Sequence, residues 1–302
     1  MPDVAQHLEL SLGFSPDADD VAMWWPVLAD AGEAPAIDTG PFRFRPVRED
    51  IEALNRRSLT GELDVTAMSC AQFAHVADTY AITTCGCSMG DGFGPKLVAR
   101  QGVSIEMVKR RHAVVAVPGE RTTAFAALSV LLGADSFAFV AVPFDRILEM
   151  VANGEVAAGL LIHETQLSFH EHGLDSIADV AQLWAQRFGL PLPLGINAIR
   201  KDLEEQHGSG TLKRVTDVLH RSIAHSMLHQ HESFAVAQRA SGALLDDERL
   251  RAYLARYVNA WTLALGAVGR LAVERLLGEV ARLGLAPVPS SIDFIEPTHH
   301  HD

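Results

Sequence analysis

The sequence predicts an α/β protein made of two open α/β domains with a ligand cleft between them. Three observations carry that expectation. Strand-like apolar runs alternate with helix-like segments as far as Arg200. The alternation falls into two sets, with crossing points near Arg100 and near Pro191. Residues 212–283 then read as almost entirely helical. The expected division is therefore a larger, discontinuous unit of residues 1–100 and 192–302, with a smaller unit, residues 101–191, inserted into it. Open α/β sheets bind ligands at the carboxyl ends of their strands, which places the site where the two units face each other.

The elements follow in order. Leu8–Phe14 reads as a buried strand, and residues 19–30 as a helix whose acidic first turn suits its positive end. Residues 42–47 alternate Phe and Arg, the period of a strand. A helix over 49–58 and a short strand over 64–66 come next. Ser69 stands where it would cap a helix over 71–77. Strands over 80–84 and 96–99 flank a glycine-rich loop, residues 86–94. In the second set, strands over 113–117 and 137–142 lead into helices over 122–132 and 145–153. A strand over 157–162 runs into His163, and helical segments continue to Phe188. The turn-rich run Gly189-Leu190-Pro191-Leu192-Pro193-Leu194-Gly195 precedes a strand near 197–200. No internal repeat or low-complexity segment interrupts the pattern.

Composition narrows the partners. Of 302 residues, 48% are hydrophobic and 21% charged, a globular mixture. Asp plus Glu outnumber Lys plus Arg by 38 to 25, for a formal net charge of -13. An acidic surface argues against nucleic acid and anionic membranes as partners. The three cysteines, Cys70, Cys85 and Cys87, do not suit a disulfide framework. The first twelve residues have neither a basic nor an apolar signal region, and no apolar run approaches the ~20 residues that span a bilayer. These features predict a cytoplasmic protein with no membrane association.

Three loops each follow a strand and precede a helix: Ser15-Pro16-Asp17-Ala18-Asp19-Asp20, Pro118-Gly119-Glu120-Arg121-Thr122-Thr123-Ala124, and Ile162-His163-Glu164. Unused backbone N–H groups at a helix start attract carboxylates, and Thr122 and Thr123 would add hydroxyls there; taken alone, plain N-capping is the simpler explanation of the pair. His163 ends an apolar strand at a cleft, a rigid mount for a general base that titrates near neutral pH. A structural histidine bonded to the backbone is the plainer alternative. Other signals are weaker. His225 and His229 share a helix face but lack the acidic neighbour of a zincin motif, so no metal is expected. Gly90-Asp91-Gly92-Phe93-Gly94 lacks the Lys-Ser/Thr ending of a phosphate loop. Of the adjacent Trp24 and Trp25, at most one should face the cleft.

Spaced runs along the chain resemble the menaquinone-biosynthesis family of the futalosine pathway, most nearly its 1,4-dihydroxy-6-naphthoate synthases. They include Gly13-Phe14-Ser15-Pro16, Glu49-Asp50-Ile51-Glu52-Ala53-Leu54-Asn55 and Gly92-Phe93-Gly94-Pro95. They continue through Val117-Pro118-Gly119, Thr122-Thr123-Ala124, the run from Gly154 to Glu164, the Gly189 to Gly195 segment and Tyr257-Val258-Asn259-Ala260. The resemblance implies a type II periplasmic-binding-protein fold used as a cofactor-free lyase that cleaves cyclic dehypoxanthine futalosine to 1,4-dihydroxy-6-naphthoate. It implies His163 as proton acceptor, with Ser15, Asp20, Ala67, Met68, Ser69, Thr122 and Thr123 as substrate contacts and a small-molecule carboxylate as substrate. A paralogue such as chorismate dehydratase and a non-catalytic cytosolic binder are the rival readings; a proton acceptor at position 163 is something a binder does not need.

The first loop departs from the pattern of that family, usually Ser-Pro-Cys-Pro-Asn-Asp. Asp17 replaces Cys, Ala18 replaces Pro and Asp19 replaces Asn, while Ala67 stands where Lys is common. Two added carboxylates and one lost cation would burden a cleft meant for an anion. Lys96 or Arg121 is therefore expected to pair with the loop across the cleft.

Overall fold

The computed structural model describes residues 7–29, 34–110, 113–240 and 246–298. The chain first lays down β1 (Leu8–Phe14), β2 (Phe42–Arg48), β3 (Val65–Ser69), β4 (Tyr80–Thr83) and β5 (Ser88–Gly90). It crosses to a second sheet for β6 (Lys96–Arg100), β7 (Val114–Val117), β8 (Ala138–Ala141), β9 (Ala158–Leu161) and β10 (Leu174–Asp179). It returns with β11 (Leu192–Arg200), and β12 (Phe294–Ile295) closes the far edge.

The first sheet runs β12-β4-β11-β3-β1-β2, with β5 also paired to β11; the second runs β10-β6-β9-β7-β8. In each, parallel βα units supply one half: β1 pairs parallel with β2 and β3, and β7 with β8 and β9. The strands next to the crossings, β6 and β11, pair antiparallel with their neighbours. Burial follows from this order. All five residues of β3 and all four of β9 are buried, as near-continuous apolar central strands must be.

Several elements differ from the sequence reading. Residues 96–100 were expected with the first unit, but β6 hydrogen-bonds to β9 and β10, so by sheet membership the crossing lies before Lys96. Residues between His163 and Phe188 were expected to be helical, yet β10 intervenes before the helix Val180–Phe188. Its two central exposed residues, Asp175 and Ser176, carry no strand pattern; pairing with β6, bulged between Ser176 and Ala178, makes the strand. The helix expected over 19–30 is Ala18–Trp24 followed by a 3-10 turn, Trp25–Val27, where Pro26 ends the α-helical bonding; Asp30 lies outside the described residues. The helix over 71–77 is a 3-10 segment, Cys70–His75, and Ser69 does not cap it with its side chain. Ser69 Oγ instead accepts from Asn55 Nδ2 at 3.0 Å.

The tail is helical as read: Thr211–Leu228, Gln230–Ala240, Asp247–Tyr257 and Gly266–Arg282 are its longer helices. It lies against both parts of the chain. Leu212, Val215 and Leu219 join the core of β1 and β2, while Val273, Leu276 and Val280 join a core shared by the first sheet and the helix Thr123–Leu132. No helix among the described residues is long and apolar enough to cross a membrane.

Candidate functional site

A cavity of about 740 Å³, including its open mouth, lies where the carboxyl ends of β1, β3 and β9 meet the start of the helix Thr123–Leu132. All eight residues singled out in the sequence line it: Ser15, Asp20, Ala67, Met68, Ser69, Thr122, Thr123 and His163. They come from both sheets, so only the folded chain assembles them.

His163 follows β9 by two residues and opens a 3-10 turn, His163–Leu167. Its φ is 58°, the one positive value at a non-glycine position among the described residues. That left-handed conformation costs a residue with a Cβ on the order of 1 kcal/mol or more. The contact it makes gives the reason. His163 Nδ1 lies 2.6 Å from Asp17 Oδ2, with both side chains largely withdrawn from solvent, and the Phe144 ring packs edge-on at 5.0 Å. Ser15 Oγ donates to the same Asp17 oxygen at 2.8 Å, and the Ser15 N–H donates to Asp20 Oδ2 at 2.8 Å.

Two carboxyl groups on one loop are thereby driven apart. Burial alone would raise the Asp17 carboxyl, but the charge of His163 and hydrogen bonds from His163 and Ser15 outweigh it, and Asp17 lies below its ordinary value. At Asp20 the hydrogen bonds from Ser15 and the His163 charge do not offset burial, which, aided by the Asp17 charge, pushes it up to about 6.

The expected pairing of Lys96 or Arg121 with this loop does not occur. Lys96 Nζ binds Asp179 Oδ2 at 2.9 Å, holding the carboxylate that caps the helix Val180–Phe188. Arg121 Nη1 donates to Gln72 Oε1 at 3.3 Å. Asp17 takes its partner from His163 instead, and Asp19 Oδ1 accepts from the Tyr253 hydroxyl at 3.3 Å. Nor does either tryptophan reach the cavity: Trp24 is fully buried in the core, and Trp25 Nε1 donates to Ser233 Oγ at 3.0 Å.

The threonine pair is already engaged. Thr122 caps its helix, accepting from the Phe125 N–H and donating to the Gly119 carbonyl at 2.8 Å. Thr123 Oγ1 donates to the Leu194 carbonyl at 2.6 Å and accepts from the Ala71 N–H at 3.2 Å. What the helix start presents to an anion is therefore its backbone: the N–H groups of Thr123 and Ala124 have no intrahelical partner, and both residues line the cavity. Asn55, fully buried, accepts from the Ser69 N–H, donates to Ser69 Oγ and reaches the Arg121 carbonyl at 3.4 Å, tying the floor of the cavity to its far wall.

Gln166, Asn197, Tyr253 and Tyr257 also line the cavity, with no role assigned to them from the sequence. Tyr257 stands in a run that was noticed, and Tyr253 precedes it by one helical turn, so a face-by-face reading of that helix finds both. Burial raises the Tyr257 hydroxyl well above its ordinary value, so it is a neutral donor in the wall. Asn197 donates to the Gly86 carbonyl at 2.7 Å and keeps its Oδ1 buried without a hydrogen-bond partner. His225 and His229 stack at 3.8 Å, and His229 Nδ1 contacts the His225 carbonyl. Among the described residues no group of three or more His, Cys, Asp or Glu is arranged to hold a metal ion.

This geometry can be set beside known proteins. A model of the family described as "Menaquinone biosynthesis" matches residues 10–282, which include every lining residue just described. The chain belongs to the menaquinone-biosynthesis family. A 1,4-dihydroxy-6-naphthoate synthase of Thermus thermophilus is 40% identical over 278 residues, covering 92% of this chain and 96% of that one. A synthase of the same name from Streptomyces coelicolor is 32% identical over 272 residues, covering 86% and 89%. In fold, the chain is similar to a Candida albicans protein described as having the generic periplasmic-binding-protein fold, with a TM-score of 0.63 over 98% of this chain and 99% of that one. At 11% identity that likeness concerns architecture alone.

Proposed function

We propose that this member of the menaquinone-biosynthesis family is a 1,4-dihydroxy-6-naphthoate synthase, a cytoplasmic lyase that acts on cyclic dehypoxanthine futalosine without metal or cofactor. The observation that carries the reading is His163. It is held in a strained backbone conformation, against a carboxylate, in a cavity shared by both sheets. A protein that only captured a ligand would have no use for such a group. The names of the two curated relatives support the same activity.

In this reading the two sheets mark two domains, joined before Lys96 and again before Leu192, that close on the substrate. The substrate carboxylate meets the N–H groups of Thr123 and Ala124 at the positive end of their helix. Ser69 and Ser15 face the polar substituents of the ring system. Neutral His163 takes the proton whose removal starts cleavage of the carbon–carbon bond, and closure excludes water while the ring fragments. The unpaired, buried cysteines suit a reducing compartment.

The test is incubation with cyclic dehypoxanthine futalosine and detection of the naphthoate by mass spectrometry. Binding without product would leave a non-catalytic binder. His163→Asn is the informative variant, because Asn tolerates the left-handed backbone and can donate to Asp17. Its turnover should fall by at least about 100-fold, with ligand affinity within about tenfold, since a base acts chiefly in the transition state. Wild-type turnover in this variant would refute the assignment.

A further inference from the structure

We propose that Asp17 is a positioning residue: it holds His163 in the Nδ1–H tautomer and turns the ring so that Nε2 carries the lone pair that takes the proton. The inference rests on His163 being the base and deepens that reading.

Two local costs converge on the one contact. Asp17 occupies the N-cap position of the helix Ala18–Trp24, with φ -63° and ψ 153°, yet its side chain makes no cap hydrogen bond. Asp is among the best N-cap residues, and leaving that bond unmade forgoes stabilisation that the sequence was free to take. Across the cavity, His163 holds its left-handed φ of 58°. Neither residue follows its local preference, and both departures bring Nδ1 to within 2.6 Å of Oδ2. Conflict between local rule and observed conformation is concentrated where function requires it.

The chemistry of the contact assigns the hydrogen. A carboxylate only accepts, so the shared proton belongs to Nδ1 and the neutral ring carries its lone pair on Nε2. Ser15 fixes the carboxylate in turn, donating to the same oxygen. The chain Ser15–Asp17–His163 is thus a base held by a carboxylate held by a hydroxyl.

Asp19 and Asp20 line the same cavity as His163, and Asp50, Glu52, Arg56 and Asp145 line a neighbouring space that His163 also borders. Arg56 is the single cation of this set and pairs with Glu52 at 3.6 Å. Asp17 is the member within hydrogen-bond reach of Nδ1.

The experiment compares wild type, Asp17→Asn and Asp17→Ser. Asn and Ser are good N-caps, so both variants should fold and keep or raise the melting temperature of the helix region. Two readouts are taken. The first is NMR of histidine-labelled protein, with His163→Asn identifying the resonance: wild type should show the Nδ1–H tautomer at high pH, and Asp17→Ser a shift toward Nε2–H. This readout needs no turnover, so it stands even if the substrate or the base has been misassigned. The second is kcat and KM against pH. Loss of the carboxylate removes an opposite charge from the imidazole, so the acid limb of kcat should move down by about 1 pH unit in Asp17→Asn. Plateau kcat should fall by roughly tenfold to a thousandfold, with KM little changed. A merely structural role would move the melting temperature and leave the tautomer and the acid limb in place, and that result would overturn the proposal.

Discussion

Replacing Asp20 with Asn should make the protein more stable at neutral pH, by an amount that disappears in acid. Burial holds the Asp20 carboxyl at about 6 in the folded protein against an ordinary 3.8. The sign follows from linkage. A group whose folded value is raised contributes stability fully present below its unfolded value, and that contribution is lost as pH rises through the folded value. Between about pH 4 and pH 6 the native state holds a proton that the unfolded chain has released, so stability declines across this window. At about 1.36 kcal/mol per pH unit, the gap between 3.8 and 6 amounts to about 3 kcal/mol. Asn removes the ionisation while its Oδ1 still accepts from the Ser15 N–H, the bond that Asp20 Oδ2 now receives at 2.8 Å. Urea unfolding of both proteins at pH 4 and pH 7.5 measures the effect. Asp20→Asn should gain about 3 kcal/mol over wild type at pH 7.5 and close to nothing at pH 4. Asp17 does not confuse the comparison, because its carboxyl lies below 3.8 and its contribution is lost only at lower pH. An Asn variant whose advantage is the same at both pH values, or which is less stable at pH 7.5, would refute the argument that Asp20 is buried uncompensated.

Two further substitutions probe how the halves of the cavity are joined. Thr123→Val keeps the shape of the side chain but removes the hydroxyl that links the Leu194 carbonyl and the Ala71 N–H. Two lost bonds at about 1 kcal/mol each should lower the unfolding free energy by about 2 kcal/mol, with Thr123→Ser near wild type in the same urea titration. Gly94 stands just before β6, where an added Cβ would lie 2.5 Å from Ala181 Cβ and 3.3 Å from its backbone nitrogen. Gly94→Ala should therefore displace the helix Val180–Phe188 and cost about 2 kcal/mol, readable as a loss of several degrees in Tm.

How much of this was legible in the sequence depends on where the determining forces act. β1 is found at the residues that its apolar run marks, and the helices ending at Ser58, Leu132, Asn153 and Phe188 stop where the pattern says, three of them at a following glycine. These are local signals. β5, β10 and β12 exist because a neighbour offers hydrogen bonds: Ser88–Gly90 to β11, Leu174–Asp179 to β6, Phe294–Ile295 to β4. A three-residue, a polar-centred and a two-residue strand have no period to read. The cavity residues on motif loops were legible because chain order places loops at strand ends. Asn197, inside β11, was not, since nothing local distinguishes a strand residue that faces a cavity from one that faces a core.

The first loop shows why counting charges along a sequence misjudges a site. Read linearly, Asp17, Asp19 and Ala67 make the cavity three charges more negative than the family pattern. In three dimensions each of the two carboxylates has its own destination. Asp17 accepts from the His163 imidazole, Asp19 accepts from Tyr253, and the loop's remaining carboxyl, Asp20, is half-neutral near pH 6. No Lys or Arg lines the cavity among the described residues, and the two nearest in sequence logic, Lys96 and Arg121, are committed elsewhere. An anionic ligand is then met by oriented dipoles: the N–H groups at the start of Thr123–Leu132, with Asn55 holding the loop that presents them. Dipoles fixed by a folded backbone do not neutralise nearby carboxylates, as a lysine would, and leave Asp17 available to the imidazole. The acidic loop can serve His163 because, among the described residues, no Lys or Arg lines the cavity to claim Asp17.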